Sequence, residues 1–201
     1  MILYKITFDR RKERDRHLLA DLGSIHRGLL KILDTNPLED RMLFRIHADP
    51  KGQEVYLYVQ SAKEFPENQA LYLYDIGKRL DAVQEGDILS YNISVVPQKS
   101  EPPASPHARG KKRYILQPAE FIPWWEKKAE SNGFLVGNTS VISYGFHKVS
   151  RTEFDQGKTF SLFSATLQGK LKVTNLSAFR HAVLHGIGRE KAFGQGLLLV
   201  H

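Results

Sequence analysis

PQKSEPPASPHARG, residues 97–110, holds four prolines, two serines and one glycine in 14 residues. A stretch so poor in apolar side chains and so rich in helix and strand breakers reads as a linker. It divides the 201-residue chain into two parts, each long enough for a small domain. Before it, residues 2–8 alternate and are rich in β-formers, predicting a first strand. Residues 10–21 are highly charged and read as a loop or ragged helix. Ser24 is placed to cap a helix carrying Ile25, Leu29, Leu30, Ile32 and Leu33, stopped by Asn36-Pro37. Residues 42–47 and 54–60 read as two strands around a turn at Asp49-Pro50-Lys51-Gly52. Residues 68–80 read as a weaker helix and 87–96 as a strand. The order is β-α-β-β-α-β.

After the linker the same order returns. Residues 112–117 read as a strand, and Pro118 opens a helix through Trp124, Trp125 and Ala129 that ends near Asn132-Gly133. Residues 134–148 are extended. Residues 158–167 and 170–173 read as strands around a Gln168-Gly169 turn, 176–184 as a helix and 197–200 as a closing strand. Two copies of this order predict an α+β fold of tandem ferredoxin-like (RAMP/RRM-like) domains with antiparallel sheets. The expected division is a first domain over residues 1–96, a linker over 97–111 and a second domain over 112–201.

Charge is uneven. Residues 1–98 carry 14 Lys+Arg against 15 Asp+Glu, whereas residues 99–201 carry 15 against 7. The whole net charge of +7 therefore comes from the second part. Such asymmetry suggests a polyanionic partner, nucleic acid before membrane, against a reading as simple solubility. With no cysteine, disulfides, thiolate metal sites and cysteine nucleophiles are excluded. No stretch approaches the roughly 20 apolar residues of a membrane span. A soluble cytoplasmic protein is expected.

Two features carry chemistry. One is His26, early in the first predicted helix in GSIHRGLL. The other is GIGREKAFGQGLLL, residues 186–199, with four glycines in 11 residues and Arg189 and Lys191 between them. Glycines allow positive φ and close backbone approach, and free amides beside cations form an anion cradle. The run lacks the Gly-Lys-Ser/Thr of a Walker loop, and with one strand after it no βαβ dinucleotide unit forms. By spacing alone it reads equally as a phosphate cradle or a tight structural turn. His181 and His185 stand at i, i+4, but no third ligand is evident and no metal is expected.

These features resemble the CasE endoribonucleases of type I-E CRISPR systems. Met1, Leu3 and Lys5 match the family's opening strand, His26 its early histidine, and Gly186, Gly188, Lys191, Ala192, Gly194, Gly196, Leu197 and Leu198 its C-terminal glycine loop. Val96-Pro97-Gln98-Lys99 resembles the family's N-P-x-K with Val for Asn. Gly110-Lys111-Lys112-Arg113 resembles its basic re-entry, and Trp125-Glu126-Lys127-Lys128 with Gly133-Phe134 the first helix of its second domain. One position departs: some members have a tyrosine three residues before the histidine, where this chain has Gly23.

The resemblance implies a metal-independent endoribonuclease, without cofactor, that cleaves CRISPR repeat RNA (pre-crRNA) at a hairpin. The 2′-OH would attack, leaving a 2′,3′-cyclic phosphate (or 3′-phosphate) and a 5′-OH. His26 would be general acid or base, with Lys191 stabilising charge. Residues 144–160 would form an RNA-groove hairpin carrying His147, Lys148, Arg151 and Lys158. Further RNA contacts are expected from Arg27, Lys99, Lys111, Lys112, Arg113, Lys127, Lys128, Gly186, Gly188, Arg189, Gly194 and Gly196. The protein would stay on the crRNA 3′ handle with other Cascade subunits. The alternative is a non-catalytic RNA-binding subunit of the same fold.

Overall fold

The computed structural model describes residues 1–35, 42–48, 52–66, 70–102, 110–150 and 158–201. Arg151, the stop at Asn36-Pro37 and most of the Asp49–Gly52 turn lie outside them. Strand β1 (Ile2–Asp9) is followed by α1 (Glu13–Leu18), α2 (Leu22–Ile32), β2 (Leu43–Ala48), β3 (Glu54–Ser61), β4 (Leu71–Asp75), α3 (Ile76–Asp81) and β5 (Ile88–Val95). A short ribbon pairs β6 (Gln98–Ser100) with β7 (Lys112–Tyr114). Then come α4 (Phe121–Glu130), β8 (Phe134–Ser150), β9 (Thr159–Val173), α5 (Leu176–His185) and β10 (Leu199–Val200).

The strands form two four-stranded antiparallel sheets, ordered β2-β3-β1-β4 and β10-β5-β9-β8. Both have the ferredoxin-like arrangement, in which the first strand of the unit lies beside the third and the last. The strands divide their side chains between faces, as the period of two requires. Tyr4, Ile6, Phe8, Phe44, Val55, Leu57 and Val59 pack under α2 with Leu22, Ile25, Leu29 and Leu30. In the second unit Tyr91, Ile93, Leu167 and Leu171 pack under α4 and α5 with Trp125, Ala129, Phe179 and Ala182.

Three expectations change. Residues 68–80 were expected as one helix; among the described ones, β4 pairs with β1 and only then does α3 begin, with the Asp75 carboxylate accepting from the amides of Gly77 and Lys78. Leu71-Tyr72-Leu73-Tyr74 is a β-prone run, and its ladder with β1 outweighs the helical spacing. Second, the sheets do not divide at residue 96. With β4 closing the first sheet, β5 becomes the first strand of the second, between β10 and β9. The proline-rich stretch thus lies inside the second unit, between its first strand and first helix. Third, Gln168-Gly169 is no turn: β9 is one strand of 15 residues. Gly169 sits opposite a bulge in β8, where a Cβ would come within 2.9 Å of the carbonyl oxygens of Gly137 and Asn138. Glycine is there because two backbones crowd it.

Both tryptophans anchor α4. Trp125 is fully buried and donates to the Tyr91 hydroxyl at 3.0 Å; Trp124 donates to the Gln98 carbonyl at 3.0 Å.

Candidate active site

His26 lies in the second turn of α2, and the start of that helix is held from far away in sequence. Asp21, not Ser24, is the N-cap: Oδ1 accepts from the amides of Gly23 (2.8 Å) and Ser24 (3.0 Å). The same carboxylate accepts from the Ser24 hydroxyl (2.9 Å) and from the amide (3.0 Å) and hydroxyl (2.8 and 2.7 Å) of Ser150, at the end of β8. Arg27 closes the cluster, donating to the Ser150 carbonyl, the Ser150 hydroxyl and the Ser24 hydroxyl, each at 3.1 Å. Burial pushes the Asp21 carboxyl up, but the hydrogen bonds from Ser150 and Ser24 outweigh it and bring it down to about 2.

Gly23 belongs to this joint. A Cβ there would stand 2.0 Å from the Ser150 carbonyl oxygen. The backbone of β8 fills the space that a side chain would need here, so packing favours glycine at this position.

The His26 ring stacks near-parallel over Phe44, with centroids 6.4 Å apart and planes at 19°. Phe44, on β2, also receives the glycine-rich loop. Gly194 has φ +75°, and a Cβ on it would lie 2.9 Å from the Phe44 ring. The 3-10 turn Lys191–Phe193 packs on α2 and β2. One phenyl ring thus seats the imidazole from the amino-terminal part and the glycine turn from the carboxy-terminal part. Burial, and then the Arg27 charge, lowers the His26 pKa below its ordinary value near 6.5. Its Nδ1 is buried with no hydrogen-bond partner among the described residues. Both features favour the neutral ring over the imidazolium.

Most of the glycine loop is closed on itself. Gly186 (φ +71°) and Gly196 (φ +83°) are buried; the Ile187 amide donates to the Gly196 carbonyl at 2.9 Å and the Gly196 amide to the Ser94 carbonyl at 2.7 Å. A Cβ on Gly196 would meet the Ile187 carbonyl oxygen at 2.5 Å. Of the two readings left open by spacing, these two glycines take the structural turn. Gly188 and Arg189 remain exposed. Lys191 donates to the His185 carbonyl at 2.7 Å, at the end of α5 where the helix dipole favours a cation.

The other expected contacts divide. His147, Lys148, Gly194 and Asp21 line one cleft of about 530 Å³ beside α2. The end of β8 pairs with the start of β9 through Ser150 and Thr159, giving the expected hairpin its two strands, with Lys158 exposed beside them. Lys127 and Lys128 are exposed on α4, which packs against β8. Lys111, Lys112 and Arg113 are exposed on the β6–β7 ribbon, where Lys112 bonds the Ser100 hydroxyl and Arg113 pairs with Glu101 at 2.7 Å. Lys99 pairs with Glu120 at 3.6 Å. The His181 and His185 rings lie 4.4 Å apart with their planes tilted by 42°, and among the described residues no group of three or more His, Asp or Glu could hold a metal. No helix of the described residues is long and apolar enough to cross a membrane. Sequence reasoning missed Asp21 and Ser150, 129 positions apart; the one local signal was an acidic cap residue just before Leu22.

Fold and site together define a tandem ferredoxin-like protein that sets a helix-borne imidazole against a carboxy-terminal glycine turn. The chain belongs to the CasE family of CRISPR-associated proteins: the family model described as CRISPR associated protein matches residues 1–201. It is 26% identical over 216 residues to the CRISPR-associated endoribonuclease Cse3 of Thermus thermophilus, covering 100% of this chain and 99% of that protein. Among solved structures it is similar to CRISPR endoribonuclease Cse3 bound to a 19-nucleotide RNA, with TM-score 0.80, 24% identity and full coverage of both chains. It is also similar to a chain of a CRISPR RNA-guided surveillance complex, with TM-score 0.69, 25% identity and 100% and 98% coverage.

Proposed function

We propose that this chain is an endoribonuclease that cuts CRISPR repeat RNA at a hairpin, without a metal, and stays on the product in a Cascade-type complex. The observation that carries it is the seating of the His26 imidazole on Phe44 beside the glycine turn. RNA supplies its own nucleophile, so the protein must align the scissile phosphate, take the 2′-OH proton and give one to the 5′-oxygen. Surroundings that disfavour the imidazolium suit the first transfer, so His26 is assigned as general base. The products are then a 2′,3′-cyclic phosphate (or 3′-phosphate) and a 5′-OH. Lys191, in the turn beside α2, is the candidate for stabilising phosphorane charge. His147 and Lys148 in the cleft, with Lys158 by the hairpin, contact the RNA backbone; duplex RNA is held largely by phosphate and shape. The similarity to an endoribonuclease over the whole chain and to a surveillance-complex subunit supports this reading.

The test is repeat RNA carrying a single 2′-deoxynucleotide at the scissile position, in excess EDTA. Unmodified RNA should be cut and the deoxy substrate left intact. Cutting of the deoxy RNA, or none of the unmodified RNA without metal, rejects the mechanism. One observation favours the alternative of a non-catalytic RNA-binding subunit: the position of the relatives' tyrosine is sealed by the Ser150 carbonyl. Tight hairpin binding with no cleavage would establish it.

A further inference from the structure

Arg45 follows Phe44 on β2 and so points to the opposite face of the first sheet, away from α2 and His26. It is 4% exposed, and its Nε and Nη1 have no hydrogen-bond partner among the described residues. Leaving two buried guanidinium nitrogens without partners is costly. It lines a cleft of about 290 Å³ between the first sheet and the β5–β10 edge of the second. His47, Tyr58, Arg79 and Asn92 line it too, and none of its lining residues is Asp or Glu. The Asn92 Oδ1 is also buried without a partner among the described residues. Arg79 lies over the Tyr74 ring at 4.6 Å. Arg45 and Tyr58 are cross-strand partners, and Tyr58 is in turn the partner of Lys5 on β1. Lys5 Nζ stands 3.8 Å over Tyr56. Cations and tyrosines thus alternate across the middle of a four-stranded antiparallel sheet.

We propose that this cleft is a second RNA site, in which Arg45 and Arg79 hold a phosphate of single-stranded RNA and Tyr58 faces its bases. A guanidinium fork fits two phosphate oxygens. Aromatic side chains on a sheet are a general platform for unstacked bases. The site lies on the other face of the sheet from the hairpin-cutting centre and does not rest on that reading.

The experiment uses the full chain and a fluorescent 2′-O-methyl oligouridylate, which has no 2′-OH to react. Binding is read by anisotropy at fixed ionic strength, beside a thermal-unfolding series in inorganic phosphate. Arg45→Met keeps the side-chain length and removes a buried charge, so its Tm should equal or exceed the wild type's. Its affinity for the oligouridylate should fall about tenfold or more, the loss of a charge-assisted contact. Arg79→Gln, an exposed position, should weaken binding in the same direction. Equal affinity of wild type, Arg45→Met and Arg79→Gln overturns the proposal. So does a wild type stabilised by phosphate but not bound by the oligouridylate, which would make the cleft a free-anion site. A large fall in Tm for Arg45→Met also overturns it, since Arg45 would then be structural.

Discussion

At the residue scale, the behaviour of His26 follows from its surroundings. Burial and Arg27 both disfavour the imidazolium, so the folded-state pKa lies below the ordinary 6.5. As the proposed general base, His26 works when unprotonated. Single-turnover cleavage should therefore rise with pH through a midpoint below 6.5 and level off above it. A rate that falls across the same interval would make His26 the acid. Gly23 makes an opposite kind of demand, for no side chain at all. Gly23→Ala should lower stability by roughly 1–3 kcal/mol as the Cβ is forced on the β8 backbone, read by chemical denaturation. Gly23→Tyr should likewise lose stability and gain no cleavage over the wild type. The helix that carries His26 was legible in its periodicity; the reason for Gly23 was not, because the atom that excludes a side chain belongs to Ser150.

At the scale of elements, the joint between α2 and β8 is what aims the imidazole. Asp21 accepts from three amides and two hydroxyls. Asn in its place keeps a capping oxygen but turns a donor toward the serines. Asp21→Asn should cost about 1–2 kcal/mol and slow cleavage, whereas Asp21→Glu should recover part of neither because the cap geometry is lost. The carboxyl stands at about 2 in the folded protein against an ordinary 3.8. Its contribution is full above about pH 4 and is lost as the pH falls through 2. Acid unfolding of Asp21→Asn should therefore show a shallower loss in that window. This joint was not legible from sequence for a physical reason: local propensity cannot report a bond across 129 positions. The same limit explains β9, where Gln168-Gly169 has turn chemistry locally and the bulge of β8 decides otherwise. By contrast β1, β3, α4 and α5 were readable, because their periodicity and their packing agree.

At the scale of the molecule, the fold class was legible and the partition of the strands between the two sheets was not. The proline-rich stretch is a strong local break, yet strand pairing assigns β5 to the second sheet. A chain beginning at residue 97 lacks the strand between β10 and β9 and should not fold. One beginning at residue 87 should show cooperative unfolding by circular dichroism, and a folded 97–201 fragment would refute the assignment. The second part carries the excess charge, so affinity for repeat RNA should fall steeply with salt. The two sheets are coupled where it matters: Gln60 on β3 donates to the Val183 and Leu184 carbonyls at 3.2 and 2.7 Å, and Phe44 seats Gly194.

The most direct measurement is single-turnover cleavage of the host's repeat RNA by wild type and His26→Ala, with binding followed in parallel. Loss of roughly 100- to 10,000-fold in rate, with RNA still bound, is the predicted result. Cleavage by His26→Ala at the wild-type rate would contradict the account.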